Sequence, residues 1–145
     1  MIGLLQRVSE AAVVVDGETI GRIDRGLMVL CCVQRDDEEK NVRRLAERLA
    51  GYRVFEDETG RMNHSVTDIG GGLLLVPQFT LAADTRKGMR ASFSRAATPD
   101  LGSAYFDLLV SECKNLLGNV ETGRFGADMK VSLVNDGPVT FWLEA

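Results

Sequence analysis

The stretch AAVVVDGETIGRI, Ala11 to Ile23, reads as two β-type runs joined by Asp16-Gly17. The first run ends in three valines, whose branched side chains fit a pleated surface. An Asp-Gly step between such runs supplies the left-handed pair that a two-residue hairpin turn needs. Strands joined this tightly pair antiparallel. Toward the N-terminus, Ile2 to Val8 mixes apolar and polar residues and reads as another strand. On the other side, Leu27 to Val33 is a continuous apolar run, as expected of a buried strand. Tyr52 to Phe55, Leu73 to Val76, Met129 to Val134 and Val139 to Leu143 carry further strand signals.

Two segments have helical periodicity instead. From Asp36 to Gly51, residues Val42, Leu45, Ala46, Leu49 and Ala50 fall on one face of a 3.6-residue repeat. Asp36 with Glu39 predicts a capping-box-like start, and Gly51 predicts a left-handed stop. Acidic residues come early and Arg43, Arg44 and Arg48 late, which suits the helix dipole. The second helix begins at Thr98-Pro99, a cap followed by proline in the first turn. Leu101, Ala104, Tyr105, Leu108, Leu109, Cys113, Leu116 and Leu117 form its apolar side, and Gly118 ends it. The expected fold is α+β: one compact domain over residues 1–145, a curved, barrel-like, mainly antiparallel sheet with two main helices to one side. Strand and helix do not alternate as in a doubly wound fold.

Composition narrows the class. At 45% hydrophobic and 26% charged, the chain has an ordinary globular balance, which argues against disorder. Cys31, Cys32 and Cys113 are odd in number and lack CxxC spacing, so they read as buried thiols in a reducing, cytoplasmic setting. Met1 leads into Ile2-Gly3-Leu4 with no basic segment and long apolar run, so no signal peptide is expected. No stretch approaches the ~20 apolar residues of a membrane span. Net charge is −4, which argues against a broad nucleic-acid footprint. Any RNA contact must be local. One basic patch exists, where Arg86, Lys87, Arg90 and Arg95 face a single acid, Asp84; by charge alone it reads as a solvated loop.

Common catalytic signatures are absent. There is no GxxxxGK[ST], GxGxxG after a strand, HExxH or GxSxG. His64 is the single histidine and lies in a polar stretch, so a His-rich zinc site is not expected. Two segments stand out because polar residues interrupt strands. Pro77-Gln78-Phe79-Thr80-Leu81 follows the apolar run Leu73 to Val76. Strand ends free backbone N–H groups for binding. Thr80 offers a hydroxyl and Phe79 a ring on which a base can stack. The same pattern suits an ordinary strand end whose Gln and Thr cap backbone groups. Asn135-Asp136-Gly137-Pro138-Val139-Thr140 reads as a turn between two strands.

Together these segments carry a resemblance. Pro77 to Leu81 resembles the SQFTL motif, and Asn135 to Thr140 the NxGPVT motif, of the D-aminoacyl-tRNA deacylase family. Leu5-Gln6-Arg7-Val8, the loop Asp84 to Ser94 and Gly123 to Met129 resemble that family as well. Pro77 departs from it, standing where the family commonly has Ser.

The resemblance implies a barrel-like cytoplasmic homodimer, with active sites at the interface. The implied activity is hydrolysis of D-aminoacyl-tRNA, and of mischarged glycyl-tRNA, as chiral proofreading in translation. Gln78, Phe79 and Thr80 are the implied catalytic residues. They hold the scissile ester and the terminal adenosine. Gly137-Pro138, with a cis peptide, is expected to reach into the partner's pocket and exclude L side chains. Arg7 is expected to brace that loop, with Asn135 and Met129 further binding residues. The implied partner is the aminoacylated 3′ end of tRNA, with no cofactor, metal, membrane or DNA. Either the tRNA 2′-OH assists the attack or Thr80 is the nucleophile. Two other readings stay open: a binding module for RNA ends that does not cleave, and a general ester hydrolase using Thr80.

Overall fold

A computed structural model describes residues 1–145. The elements are β1 (Ile2–Val15), β2 (Glu18–Ile23), β3 (Gly26–Cys32), α1 (Glu39–Gly51), β4 (Phe55–Glu56), β5 (Met62–His64), β6 (Gly72–Pro77), a 3₁₀ turn (Phe79–Ala82), α2 (Pro99–Leu116), β7 (Val120–Thr122) and β8 (Lys130–Glu144). The hairpin forms as expected. Asp16 has φ 49° and Gly17 φ 79°, the left-handed pair of the turn, and Val15 faces Glu18.

Strand β1 is the spine of the sheet. It runs unbroken from Ile2 to Val15, where two strands were expected. Its first half pairs with β3, its second half with β2, and β8 runs along it from Ile2 to Val14. All three pairings are antiparallel. Strands β6 and β7 extend the sheet beyond β3 in parallel. Parallel neighbours need long crossovers, and these contain α1 and α2. The two ends of the sheet approach each other at Gly21. A Cβ there would lie 2.8 Å from the Thr122 carbonyl oxygen, so glycine is what lets β2 come this close to β7. The result is the nearly closed, barrel-like sheet expected.

The continuous apolar runs follow from burial on both faces. Leu27 and Val29 of β3 and Leu73 and Leu75 of β6 pack in the core that includes α1 and α2. Met28, Leu74 and Val76 point the other way, into a second core with Val8, Val13 and Ile23. In α1, the buried residues are Val42, Leu45, Ala46, Leu49 and Ala50, the face read from the periodicity.

The caps of α1 differ from expectation. The helix starts at Glu39 behind Glu38, whose N–H donates to Asn41 Oδ1 at 2.7 Å. The expected cap, Asp36, lies outside the helix, and Asp37 after it accepts from the Gln34 N–H at 2.7 Å and pairs with the buried amine of Met1. Gly51 is the last helical residue, and Tyr52 leads out in extended conformation. In α2, Thr98 is the cap and accepts from the Leu101 N–H, with Pro99 first in the helix. The buried stripe is narrower than expected: Gly102, Phe106, Leu109 and Cys113 are buried, while Ala104 and Leu116 are exposed. The helix ends at Leu116, and Leu117 rather than Gly118 makes the closing bond to Cys113. The strand expected over Tyr52–Phe55 shifts to Phe55–Glu56. All three cysteines are free and buried. No helix is long and apolar enough to cross a membrane.

Candidate active site

The first segment sits where β6 stops. Pro77 pairs in register with Cys31, and the Gln78 N–H donates to the Cys31 carbonyl at 2.7 Å. The chain then curls. Ala83 N–H reaches the Thr80 carbonyl at 3.1 Å, closing the 3₁₀ turn. The first N–H groups of such a turn have no partner within it. Those of Phe79 and Thr80 make no hydrogen bond within the chain. The side chains of Phe79 and Thr80 are exposed. The Gln78 amide donates to Thr80 Oγ1, and no histidine or acid hydrogen-bonds that hydroxyl. His64 lies apart, on the β4–β5 hairpin.

A cavity of about 420 Å³ opens beside this turn. Pro77, Gln78 and Phe79 form one wall. Phe93, Phe106 and Phe125 contribute rings, and Thr98, Pro99 and Gly102 at the start of α2 form another side. Phe79 and Phe93 meet at 5.2 Å between centroids, tilted by 56°. No carboxylate lines the cavity. Cys31 lies at its floor, where burial pushes the thiol well up from its ordinary range. Phe93, Phe106 and Phe125 had no assigned role in the sequence. Their only signal was that Phe93 and Phe125 sit in the segments Asp84–Ser94 and Gly123–Met129.

The second segment is not a turn between two strands. Strand β8 runs continuously from Lys130 to Glu144. Thr140 pairs with Gln6 and Asn135 with Val8, so four residues, Asp136 to Val139, stand opposite Arg7 alone. A surplus of residues on one strand must leave the ladder as a bulge. Gly137 and Pro138 are exposed on it, and their peptide is cis.

Side chains from below hold the bulge. Arg7 is buried, donating from Nε to the Asp136 carbonyl at 2.9 Å and from Nη1 to the Val54 carbonyl at 2.7 Å. Asn135 Nδ2 donates to Thr140 Oγ1 at 2.9 Å, and Asn135 Oδ1 accepts from the Val139 N–H at 3.1 Å. Gly137 has φ 138°, and a Cβ would lie 2.8 Å from Val139 Cγ2 and 3.0 Å from Arg7 Nη2. Only glycine fits there.

Gln78, Phe79 and Thr80 are thus together, as are Arg7, Asn135, Gly137 and Pro138. None of residues 135–140 lines the cavity beside Phe79 in the same chain. Met129 does not line it either. Its sulfur accepts from the Arg124 N–H at 3.4 Å, and it supports the turn that carries Phe125.

The fold and this pair of segments place the chain in a class. It belongs to the D-Tyr-tRNA(Tyr) deacylase family, whose model matches residues 4–144. As a member of this family it is an enzyme, a hydrolase. It is 67% identical over 145 residues to the D-aminoacyl-tRNA deacylase of Alkalilimnicola ehrlichii, covering 100% of this chain and 97% of that one. It is 69% identical over 144 residues to that of Thioalkalivibrio sulfidiphilus, covering 99% and 97%. Among solved structures, a protein described as a c-Myc DNA unwinding element binding protein superposes with a TM-score of 0.95 at 34% identity, covering 100% of this chain and 99% of that one.

Proposed function

We propose that the chain hydrolyses the ester between a D-amino acid, or glycine, and the 3′ end of tRNA, releasing both as chiral proofreading in the cytoplasm. The observation that carries this reading is the free N–H pair of Phe79 and Thr80 on the turn whose Pro77, Gln78 and Phe79 wall an apolar cavity. An aminoacyl ester is already activated, so a strong side-chain nucleophile is not required. What lowers the barrier is stabilisation of the oxyanion. One well-placed donor contributes ~3 kcal/mol.

The terminal adenosine rests against Phe79, and the ester carbonyl points at the two N–H groups. Water attacks the carbonyl carbon with help from the neighbouring 2′-OH. The tetrahedral intermediate collapses, the ester C–O bond breaks, and the ribose oxygen leaves with a proton. Thr80 is an unpromising nucleophile, because its hydroxyl accepts from Gln78 and has no base.

Selection between mirror images comes from a second copy of the chain. Its Gly137-Pro138 bulge enters the cavity's mouth and closes one side of the substrate Cα with backbone. Hydrogen fits there and a side chain does not. The exposure of the bulge and its bracing by Arg7 support this, as do the half-exposed Val134 and Trp142 on the same edge strand.

The test is deacylation of matched D-Tyr-tRNA and L-Tyr-tRNA by purified protein, with Thr80→Ala alongside. Cleavage of the D ester alone, retained in Thr80→Ala, is expected. Equal cleavage of both esters overturns the selection mechanism. Binding of D-Tyr-tRNA without cleavage overturns the proposed reaction.

A further inference from the structure

The loop that follows the 3₁₀ turn stands apart from the body of the protein. Asp84 and Ser92 exchange backbone hydrogen bonds at 2.7 and 3.0 Å, pinching off Thr85 to Ala91 as an excursion from the body. Residues Thr85 to Arg90 are all exposed, and Met89 at the tip is fully so. Between residues 85 and 95 there are four cations, Arg86, Lys87, Arg90 and Arg95, and no acid, in a chain of net charge −4.

The four cations are not equivalent. Arg86 is taken by Asp84, with contacts of 2.9 Å from Nε and 2.6 Å from Nη2. Lys87, Arg90 and Arg95 make no salt bridge, and Lys87 and Arg90 stand exposed on the same excursion. The root of the loop is apolar and belongs to the cavity: Phe93 lines it and meets Phe79. One short segment therefore carries an aromatic platform at its base and unpaired cations at its tip. That combination tracks a single-stranded nucleic acid, bases on rings and phosphates on cations.

We infer that Lys87 and Arg90 grip phosphates of the unpaired 3′ strand just upstream of the terminal adenosine. This inference rests on the proposed deacylase reading and adds to it a binding subsite for the tRNA backbone, separate from the ester-cleaving groups. It explains how an acidic protein engages RNA: the contact is confined to one loop next to the cavity. The contact carries no base information, since phosphate contacts position rather than specify.

The experiment compares two substrates, D-Tyr-tRNA and the minimal ester 3′-O-D-tyrosyl-adenosine, which has no phosphate. The double variant Lys87→Ala/Arg90→Ala is expected to raise KM for D-Tyr-tRNA about tenfold at physiological salt, with kcat unchanged. Loss of two phosphate contacts makes the negative slope of log(kcat/KM) against log[salt] shallower by about 1.4. Cleavage of the minimal ester is expected to stay at the wild-type rate. The conservative variant Lys87→Arg/Arg90→Lys is expected to restore tRNA binding. Wild-type KM and salt slope in the double variant overturn the grip while leaving the deacylase reading intact. Loss of cleavage of the minimal ester in that variant also overturns it, because the loop would then be shaping the cavity. A wild-type protein that cleaves neither ester overturns the reading beneath it.

Discussion

The two segments at the candidate site are built in opposite ways. Gln78 to Ala82 holds its shape through its own backbone: one bond to Cys31 and the turn's own closure. Asp136 to Val139 has surplus residues and holds its shape through side chains from elsewhere, Arg7 below and Asn135 at its shoulder. The first needs a strand that stops at the right place, the second a buried cation under a bulge. Their tolerance to substitution should differ accordingly: exposed side chains of the first can be replaced without loss of stability, whereas replacing the supports of the second changes both stability and selectivity.

The largest effect is expected for Arg7→Ala. It leaves two carbonyls, of Asp136 and Val54, without their charged donor. Hydrogen bonds to charged groups are worth about 1.5–3 kcal/mol, a Tm loss of several degrees for a domain of this size. Discrimination between D- and L-Tyr-tRNA should fall with it, measured as the ratio of the two kcat/KM values. Next comes Gly137→Ala, whose Cβ meets Val139 and Arg7 at a positive φ. Strain of about 1–3 kcal/mol is expected, read from the midpoint of urea unfolding. A Gly137→Ala protein as stable as wild type would break the claim that the bulge is tightly supported.

Thr80→Ala should be the mild counterpart. Its side chain is exposed, so stability should stay within ~0.5 kcal/mol, and D-ester cleavage should persist. A loss of stability matching that of Arg7→Ala would erase the contrast between the two segments.

The smallest effect concerns pH. Hydrogen bonds from Arg86 hold the Asp84 carboxyl well below the usual carboxylate range. A depressed carboxyl contributes stability that is present above the unfolded value, ~3.9, and is lost only as pH falls through the lower folded value. An NMR titration of Asp84 should show a midpoint below the ordinary one, restored toward it in Arg86→Ala.

The same contrast governs what could be read from sequence. The hairpin at Asp16-Gly17, the α1 face and the apolar runs of β3 and β6 are local chemistry or the imprint of burial, so they were legible. The bulge was not. Gly137-Pro138 has the composition of a turn, yet proline is tolerated at a bulge in an edge strand, and β8 pairs only with β1. The α1 cap, expected at Asp36 with Glu39, falls at Glu38 with Asn41, because Asp37 between them is held by the Gln34 N–H and by the Met1 amine, 36 residues away, and the helix begins only after it. The motif residues Gln78, Phe79 and Thr80 were visible through resemblance. The cavity beside them was not, because Phe93, Phe106 and Phe125 come from three separate segments and meet only in the fold.

The central claim is that selection works by backbone exclusion at Cα rather than by recognition of a D side chain. Glycyl-tRNA, which has no side chain to recognise or exclude, separates the two. Its deacylation, measured beside D-Tyr-tRNA and L-Tyr-tRNA, is predicted to proceed while the L ester stays intact. Absence of glycyl-tRNA cleavage at high enzyme concentration, with D-Tyr-tRNA cleaved, would contradict the account.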